Sequence, residues 1–345
     1  MKDVAFRAEW KRVIVEEGKQ TFLEGIHMQV LVAVKLDQKM KQHFESSYPG
    51  VTFHFSSSKE ETEKLVKDAE VLVTGGNGAD EASLRTADKL KWIMVISAGV
   101  DYLPLDIIAE KGIMLTNANG IHRIQMAEYA ISSILAVARN ERAFLKKQEE
   151  HVWDKDIMID EITAKKLVVV GAGAIGQEVA RLGKAFRMHT IGVSRSGSPK
   201  EHFDEVYKQT DIETVLPHAD YLISILPSTK ETKYFYKENH FDLMPKHAVF
   251  LNMGRGDAVA MDVLLDALNK EKIKAAVLDV FEEEPLSEDH PFWDHERVIL
   301  TPHMAGKTPY YTERAMDVFE KNLDIYTNEE AEKQYINKID LDRGY

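Results

Sequence analysis

From Met28 onward the sequence alternates short β-branched runs with stretches of helical period, and that alternation restricts the chain to an α/β architecture. The first strand-like runs are Met28–Val34, Val51–Phe55, Glu70–Gly75 and Trp92–Ser97, with helical stretches at Asp37–Ser46 and Lys59–Asp68. Nearly continuous apolar character marks strands covered on both faces, hence parallel sheets with crossover helices. A second series starts at Lys166–Val170 and continues through Thr190–Ser194, Tyr221–Leu226, Ala248–Asn252, Ala275–Val280 and Val298–Thr301. A long helical pattern, Gln125–Asn140, separates the two series, with Asn140 as its C-cap. Another, Tyr311–Tyr326, follows Gly306. Two such series in 345 residues predict two doubly wound parallel-sheet domains with a cleft between them. Residues 1–27 precede the first strand and have no role in the pattern.

Composition narrows the function classes. The formal charge is −13, and no basic footprint for nucleic acid is visible. Cysteine is absent, which removes disulfides, thiolate catalysis and Cys-ligated metal sites, and fits a reducing cytoplasm. The N-terminal stretch has mixed charge and no apolar core, so it does not read as a secretory signal. The longest apolar runs, Ile134–Ala138 and Leu167–Val170, are too short to span a bilayer, and a soluble protein is expected. No His/Asp/Glu spacing of a metal enzyme is present, although His290, His295 and His303 cluster in sequence.

The most informative short motif is Gly171-Ala172-Gly173-Ala174-Ile175-Gly176, directly after the strand Leu167–Val170 and opening a helix through Phe186. Flanked in that way, it reads as a dinucleotide-binding turn. Gly171 allows the turn, Gly173 lets the backbone approach a pyrophosphate, and Gly176 lets helix and strand pack. The pyrophosphate then meets free N–H groups at the helix N-terminus. The domains are therefore read as Rossmann-like or flavodoxin-like. About 20 residues beyond such a loop, NAD-binding chains carry an acidic residue for the ribose diol. Here Ser194-Arg195-Ser196 takes that place, a set that binds a 2′-phosphate where a carboxylate would repel it. The expected cofactor is NADP(H) in preference to NAD(H).

Three further motifs stand at the ends of later strands: Asn252-Met253-Gly254-Arg255-Gly256, Leu278-Asp279 through Glu284-Pro285-Leu286, and Thr301-Pro302-His303-Met304-Ala305-Gly306. Taken singly each has an innocent reading: a turn arginine, a helix-capping Asp279, a solvated acidic turn at Glu282–Glu284, a capped loop histidine. In an open α/β sheet, however, ligands bind beyond the carboxyl ends of the strands, so Arg255, Glu284 and His303 would converge on one crevice.

In these residues the chain resembles the D-isomer-specific 2-hydroxyacid dehydrogenases. The resemblance runs from Met28 to Tyr345. It includes the Ser97–Asp101 loop, Ala127-Glu128, and Leu226-Pro227-Ser228-Thr229 with Thr232. Within the family it looks most like the glyoxylate/hydroxypyruvate reductases, through Ser194-Arg195-Ser196, Pro291-Phe292-Trp293 and the closing Asp342-Arg343-Gly344-Tyr345. Two positions depart from the family pattern: Ala164 stands where Gly is usual, and Ala260 where an Asp often follows the Arg-Gly turn. His122 and the Gly75-Gly76-Asn77 loop match no single family consensus.

The resemblance implies a discontinuous substrate domain, residues 28–121 plus 306–345, and a dinucleotide-binding domain, residues 122–305. It implies reduction of a small 2-keto acid, most like glyoxylate or hydroxypyruvate, by hydride transfer from the cofactor. Backbone N–H groups of Ala98, Gly99 and Val100 would hold the substrate carboxylate, and the planar fork of Arg255 would bind carboxylate and carbonyl together. His303 would donate the proton to the carbonyl oxygen, and Glu284 would stabilise its charged form and so raise its pKa. Pro227, Thr232 and Asp279 join the cofactor set, with Asp279 orienting the nicotinamide carboxamide. A homodimer through the coenzyme domain, with the Gln125–Asn140 helix near the interface, is also expected. The alternatives are a related dehydrogenase of D-lactate or phosphoglycerate type, and a nucleotide-sensing corepressor of the same fold.

Overall fold

The computed structural model describes residues 28–100, 102–328 and 334–341. The 1–27 extension, Asp101 of the 97–101 loop and the closing 342–345 tetrapeptide lie outside the described residues.

Two parallel sheets carry the fold. The first contains β1 (Met28–Ala33), β2 (Val51–Phe55), β3 (Val71–Thr74), β4 (Trp92–Val95) and β5 (Met114–Asn117), in the order β2-β1-β3-β4-β5. β1 pairs in parallel with both β2 and β3. Three of the helices around this sheet begin where the sequence supplies caps. Asp37 accepts the Met40 N–H at 2.8 Å, Ser58 the Glu61 N–H and Asp80 the Ser83 N–H, each satisfying an amide that the first helical turn leaves open.

The second sheet contains β6 (Lys166–Val170), β7 (His189–Ser194), β8 (Glu205–Lys208), β9 (Tyr221–Ser224), β10 (Val249–Asn252), β11 (Ala275–Leu278) and β12 (Val298–Leu300). Its order is β12-β11-β10-β9-β6-β7-β8. The side-chain alternation of its strands shows why they read as unbroken apolar runs. Val168, Val170, Leu222, Phe250, Ala276 and Leu278 join one hydrophobic core, while Leu167, Val169, Tyr221, Ile223, Leu251 and Val277 join another. Successive residues point to opposite faces, so both faces are dry. Each buried Val, Leu, Ile or Phe among them contributes about 1.5–3 kcal/mol.

By density of internal contacts the chain divides into two compact units. One takes in the first sheet up to Met94 and returns for Tyr102–Leu115; the other is Val95–Asp101 together with the chain from Thr116 on. In the second unit, the helix expected at Gln125–Asn140 runs Arg123–Ala138. Asn140 follows it in the left-handed region at φ 53°, as expected of a helix stop, and also begins the next helix, Glu141–Glu149. The sequence reading missed that helix, along with the short strands β5 and β8.

Candidate active site

The order of the second sheet reverses between β6 and β9: chain progression runs one way from β6 through β7 to β8, and the other way from β9 to β12. Such a switch point opens a crevice beyond the strand ends. A cavity of about 810 Å³ lies there, lined by residues that follow β6 (Ile175), β9 (Leu226, Pro227), β10 (Gly254, Arg255), β11 (Asp279) and β12 (His303). All of its lining residues belong to the second compact unit.

The glycine loop is shaped as the cofactor reading requires. Gly171 sits at φ +109°, and a Cβ there would come 2.7 Å from the Ile225 carbonyl oxygen. A Cβ on Gly176 would collide with the carbonyl of Gly171, which fixes how closely the Ala174–Ala185 helix approaches the loop. Over Gly173, by contrast, a Cβ would meet nothing within 4 Å, so open space lies beside the helix start. No side chain caps this helix, and the amides of Gly173, Ala174 and Ile175 have no partner outside it among the described residues. An uncapped helix N-terminus facing open space suits a pyrophosphate, and these residues fit a dinucleotide.

At the end of β7, Ser194 Oγ accepts the Gly197 N–H at 3.1 Å, which leaves its own hydrogen to donate. Ser196 Oγ is 2.8 Å from Ser198 Oγ, and Arg195 is exposed between the two serines. The β7–β8 register sets Lys208 opposite Ser194 on the same face, and the stem of Lys208 packs beneath the turn at Gly197. Strand pairing alone brings Lys208 to this spot, 14 positions away in sequence, whereas Lys200 lies in the exposed link between the strands. Thr232 is buried; its hydroxyl donates to the Pro227 carbonyl at 2.5 Å and accepts the Thr229 N–H at 2.9 Å. It bears on the cavity through the shape of the Pro227 loop rather than by reaching into it.

The Arg255 guanidinium is exposed toward the cavity and forms no ion pair among the described residues; Nη1 donates to the Gly254 carbonyl at 2.8 Å. Asn252 holds the turn beneath it, donating to the Arg255 carbonyl and accepting from the Gly254 N–H. His303 Nδ1 lies 2.8 Å from Glu284 Oε2, and the other oxygen of Glu284 accepts the Phe281 N–H at 3.0 Å. The carboxylate is thus fixed, and Nδ1–H can donate to it, leaving Nε2 for the cavity. Glu282, two positions earlier, has different work. It accepts the Met261 N–H at 2.8 Å and so caps the helix whose N-cap position is Ala260.

His303 itself adopts φ 54°, a left-handed conformation that costs a residue with a Cβ about 1–2 kcal/mol. Asp279 holds it there. The Asp279 carbonyl accepts the His303 N–H at 2.9 Å. Its carboxylate, 1% exposed, accepts from Thr301 Oγ1 at 2.5 Å, Met304 N–H at 2.7 Å and Ala305 N–H at 2.8 Å. Tyr129 extends the chain through Thr301 Oγ1 at 2.7 Å. Both Asp279 oxygens are therefore engaged by the segment that carries the histidine, a relation invisible in sequence.

On the opposite wall, Ala98 and Gly99 line the cavity, whereas Val100 is buried and does not line it. The Ala98 carbonyl accepts from Asn117 Nδ2 at 2.6 Å and the Gly99 carbonyl from Ser97 Oγ at 2.8 Å. With those carbonyls tied back, the N–H groups of Ala98, Gly99 and Val100 have no partner among the described residues. His122, Lys307 and Tyr311 complete the polar lining and were not named as site residues from sequence.

Comparison with known proteins agrees with this geometry. Residues 131–305 match the model of the D-isomer specific 2-hydroxyacid dehydrogenase NAD binding domain. The chain belongs to that family. Its members are NAD(P)-dependent oxidoreductases acting on CH–OH groups. Among relatives of this chain, the D-3-phosphoglycerate dehydrogenase of Methanocaldococcus jannaschii is 37% identical over 258 residues, 73% of this chain but 48% of that protein. The chain thus spans about half the length of that relative. A solved D-isomer specific 2-hydroxyacid dehydrogenase family protein from Aeromonas salmonicida superposes with a TM-score of 0.80 at 30% identity, covering 91% of this chain and 99% of that one. An NADPH-dependent glyoxylate/hydroxypyruvate reductase from Sinorhizobium meliloti, solved with NADP and sulfate, gives 0.76 at 25% identity, covering 92% and 100%.

Proposed function

We propose that this dehydrogenase reduces a small 2-keto acid, glyoxylate or hydroxypyruvate, with NADPH. The observation that carries the reading is the unpaired Arg255 guanidinium in one cavity with the His303–Glu284 pair and the open amides of Ala98 and Gly99. Three groups then serve three needs. The amides of Ala98 and Gly99 and the Arg255 fork hold the carboxylate. Arg255 also faces the carbonyl oxygen, where negative charge develops. His303 Nε2 delivers the proton to that oxygen, while Glu284 keeps the ring oriented and partners its positive charge. A dinucleotide held by its pyrophosphate at the Gly171–Gly176 loop would supply the hydride from its nicotinamide.

Ser194, Arg195, Ser196 and Lys208 support the NADPH preference, since none repels a 2′-phosphate and two are cations. The similarity to the Sinorhizobium reductase over its full length supports the substrate assignment. A second reading, a phosphorylated 2-keto acid, is favoured by Lys307, a further cation in the cavity wall with no ion pair among the described residues. A panel of glyoxylate, hydroxypyruvate, pyruvate and 3-phosphohydroxypyruvate, each assayed with NADPH and NADH, tests all of this at once. Highest kcat/KM on the phosphorylated acid overturns the first reading. NADPH binding without turnover of any acid favours the corepressor-like alternative.

The sheet of residues 28–117 is assigned to the substrate part and that of residues 166–300 to the cofactor part, and a cysteine-free chain suits a reducing cytoplasm. Among the described residues, no helix is long and apolar enough to cross a membrane. A homodimer is proposed too, but through a different surface from the one expected. Ala127, Ala130, Ile131 and Ile134 of the Arg123–Ala138 helix are buried in the core, whereas Phe144, Leu145, Trp153 (88% exposed) and Met158 (83%) present apolar surface just beyond it. Sedimentation at micromolar concentration showing only a 39.2 kDa species would remove the dimer.

A further inference from the structure

His122 stands at the start of the Arg123–Ala138 helix and lines the same cavity as Arg255 and His303. It is half-buried, and neither ring nitrogen has a hydrogen-bond partner among the described residues. Its ring is held instead by shape. Tyr311 meets it edge-on with centroids 5.3 Å apart, and the Tyr311 hydroxyl is itself anchored on the Ile96 carbonyl at 2.8 Å. Gly306 makes room on another side, since a Cβ there would come 3.2 Å from His122 Cδ2. An imidazole positioned by packing, with both nitrogens free of partners among the described residues, can take up a hydrogen bond from a ligand in the cavity.

Its charge state complements its neighbours. Burial, and then the positive charge of Arg255, push the His122 pKa below the usual histidine value. The helix N-terminus beneath it acts in the same direction. The ring is thus neutral at neutral pH, with one donor nitrogen and one acceptor nitrogen. Arg255 and Lys307 can only donate, and His303 donates in the reductive direction. The carboxylate and carbonyl of a 2-keto acid are claimed by those donors and by the amides of the 98–100 loop. What remains is the third substituent on C2, and a hydroxyl there needs an acceptor.

We infer that His122 is a specificity-determining residue whose neutral imidazole accepts a hydrogen bond from a hydroxyl on C3 of the substrate, selecting hydroxymethyl keto acids over methyl ones. The inference rests on the reading of this cavity as a 2-keto acid reductase site. A site built to bond a hydroxyl discriminates strongly against an analogue lacking it, because the polar group is then left unpaired.

The test compares hydroxypyruvate with pyruvate, with NADPH, in the wild type and in His122→Leu and His122→Asn, after NADPH fluorescence titration has verified that each variant binds cofactor. In His122→Leu, the hydroxypyruvate-to-pyruvate ratio of kcat/KM should fall about 10- to 100-fold, mostly through a rise in KM for hydroxypyruvate. His122→Asn, which keeps a short acceptor, should retain most of the selectivity. If the leucine variant proves insoluble, His122→Phe reads the same ratio. An equal loss on both acids, an unchanged ratio, or a wild type that favours pyruvate overturns the assignment. A wild type that reduces neither acid overturns the reductase reading beneath it, and that outcome is distinct from an unchanged ratio in an active enzyme.

Discussion

Asp279→Asn is the most demanding test of how the site is held together. The change is isosteric and removes only charge and one acceptor, so packing is left intact. The consequence follows from which oxygen takes which donor. Oδ1 accepts from Thr301 Oγ1 and Met304 N–H, and Oδ2 accepts from Ala305 N–H. An asparagine amide can present oxygen to one side only. With its oxygen at the Oδ1 position, the NH2 faces the Ala305 N–H, donor against donor. Flipped, it faces the Met304 N–H instead, and the Thr301 hydroxyl must reverse. Either way at least one charge-assisted bond is lost at a buried site, worth about 1.5–3 kcal/mol, and the surviving bonds lose their charge assistance. The segment that relaxes carries His303 in its left-handed conformation. Two readouts should therefore move together. The Tm should fall by roughly 5–10 °C, at about 2–4 °C per kcal/mol for a domain of this size. The kcat should fall about 10- to 100-fold as the imidazole loses its placement. Cofactor affinity should change much less. A variant with wild-type Tm and kcat but weakened NADPH binding would refute the clamp and return Asp279 to the nicotinamide contact first expected of it.

Four other outcomes follow from the same geometry. His303→Ala should lower kcat about 10²–10⁴-fold while fluorescence titration shows cofactor still bound; wild-type turnover would take the imidazole out of the proton transfer. Arg255→Lys should lose about 10- to 100-fold in kcat/KM, because a point charge cannot replace the planar fork, and retention of both kcat and KM would end the anchoring role. Ser194→Asp should move the NADPH/NADH ratio of kcat/KM toward NADH by about tenfold or more, and an unmoved ratio would mean that the end of β7 does not face the ribose. Ala164 sits at φ 61° in a turn closed by Lys165 N–H on the Ile162 carbonyl, so Ala164→Gly should raise stability by about 0.5–1 kcal/mol in urea melts; the relief of about 1–2 kcal/mol exceeds the entropy glycine adds to the unfolded chain.

How much of this was legible in sequence depended on whether the determinant was local. The strands Val51–Phe55 and Lys166–Val170 were read to the residue, because runs rich in β-branched and aromatic residues bounded by turns carry their own signal. β8 was missed because Glu205–Lys208 lies at a sheet edge and has only two half-buried residues between two exposed charged ones, leaving no apolar run. The helix Glu141–Glu149 was missed because none of its residues is buried. The pairing of Glu284 with His303 could be anticipated from motif content, and the structure brings the two within hydrogen-bond distance. The contrast between Glu282 and Glu284 could not, since adjacent acids in one turn differ only in which distant amide each one meets. Lys208 and His122 reach their sites by strand register and ring packing across the fold, and neither leaves a local trace. The two departures from the family pattern acquire physical content here. Ala164 is a residue with a Cβ where the backbone asks for glycine, and Ala260 is a helix N-cap without a side-chain cap, relieved by Glu282 from across the turn.

For a chain of formal charge −13, binding an anionic cofactor and an anionic acid as proposed requires that the electrostatics be solved locally. The lining of the cavity shows how. Asp279 is the one carboxylate among the described lining residues, and its oxygens are engaged by three donors. Glu284, beside it, is turned onto His303 and the Phe281 amide. Asp257, on the turn after Arg255, accepts from Ser228 through Oδ2, while its Oδ1 is buried without a partner among the described residues. Against these stand Arg255 and Lys307, without ion pairs among the described residues, the open amides of Ala98 and Gly99, and the uncapped helix start after Gly173. The acidic residues nearest the site are thus converted into scaffolding for its donors, and the unsatisfied donors face the cavity. Long-range repulsion from the acidic surface is screened beyond roughly 8–10 Å at physiological ionic strength, whereas contacts inside a partly dry cavity are screened far less. Net charge therefore says little about which ligands such a site admits; the decisive quantity is which donors near the strand ends are left without an acceptor.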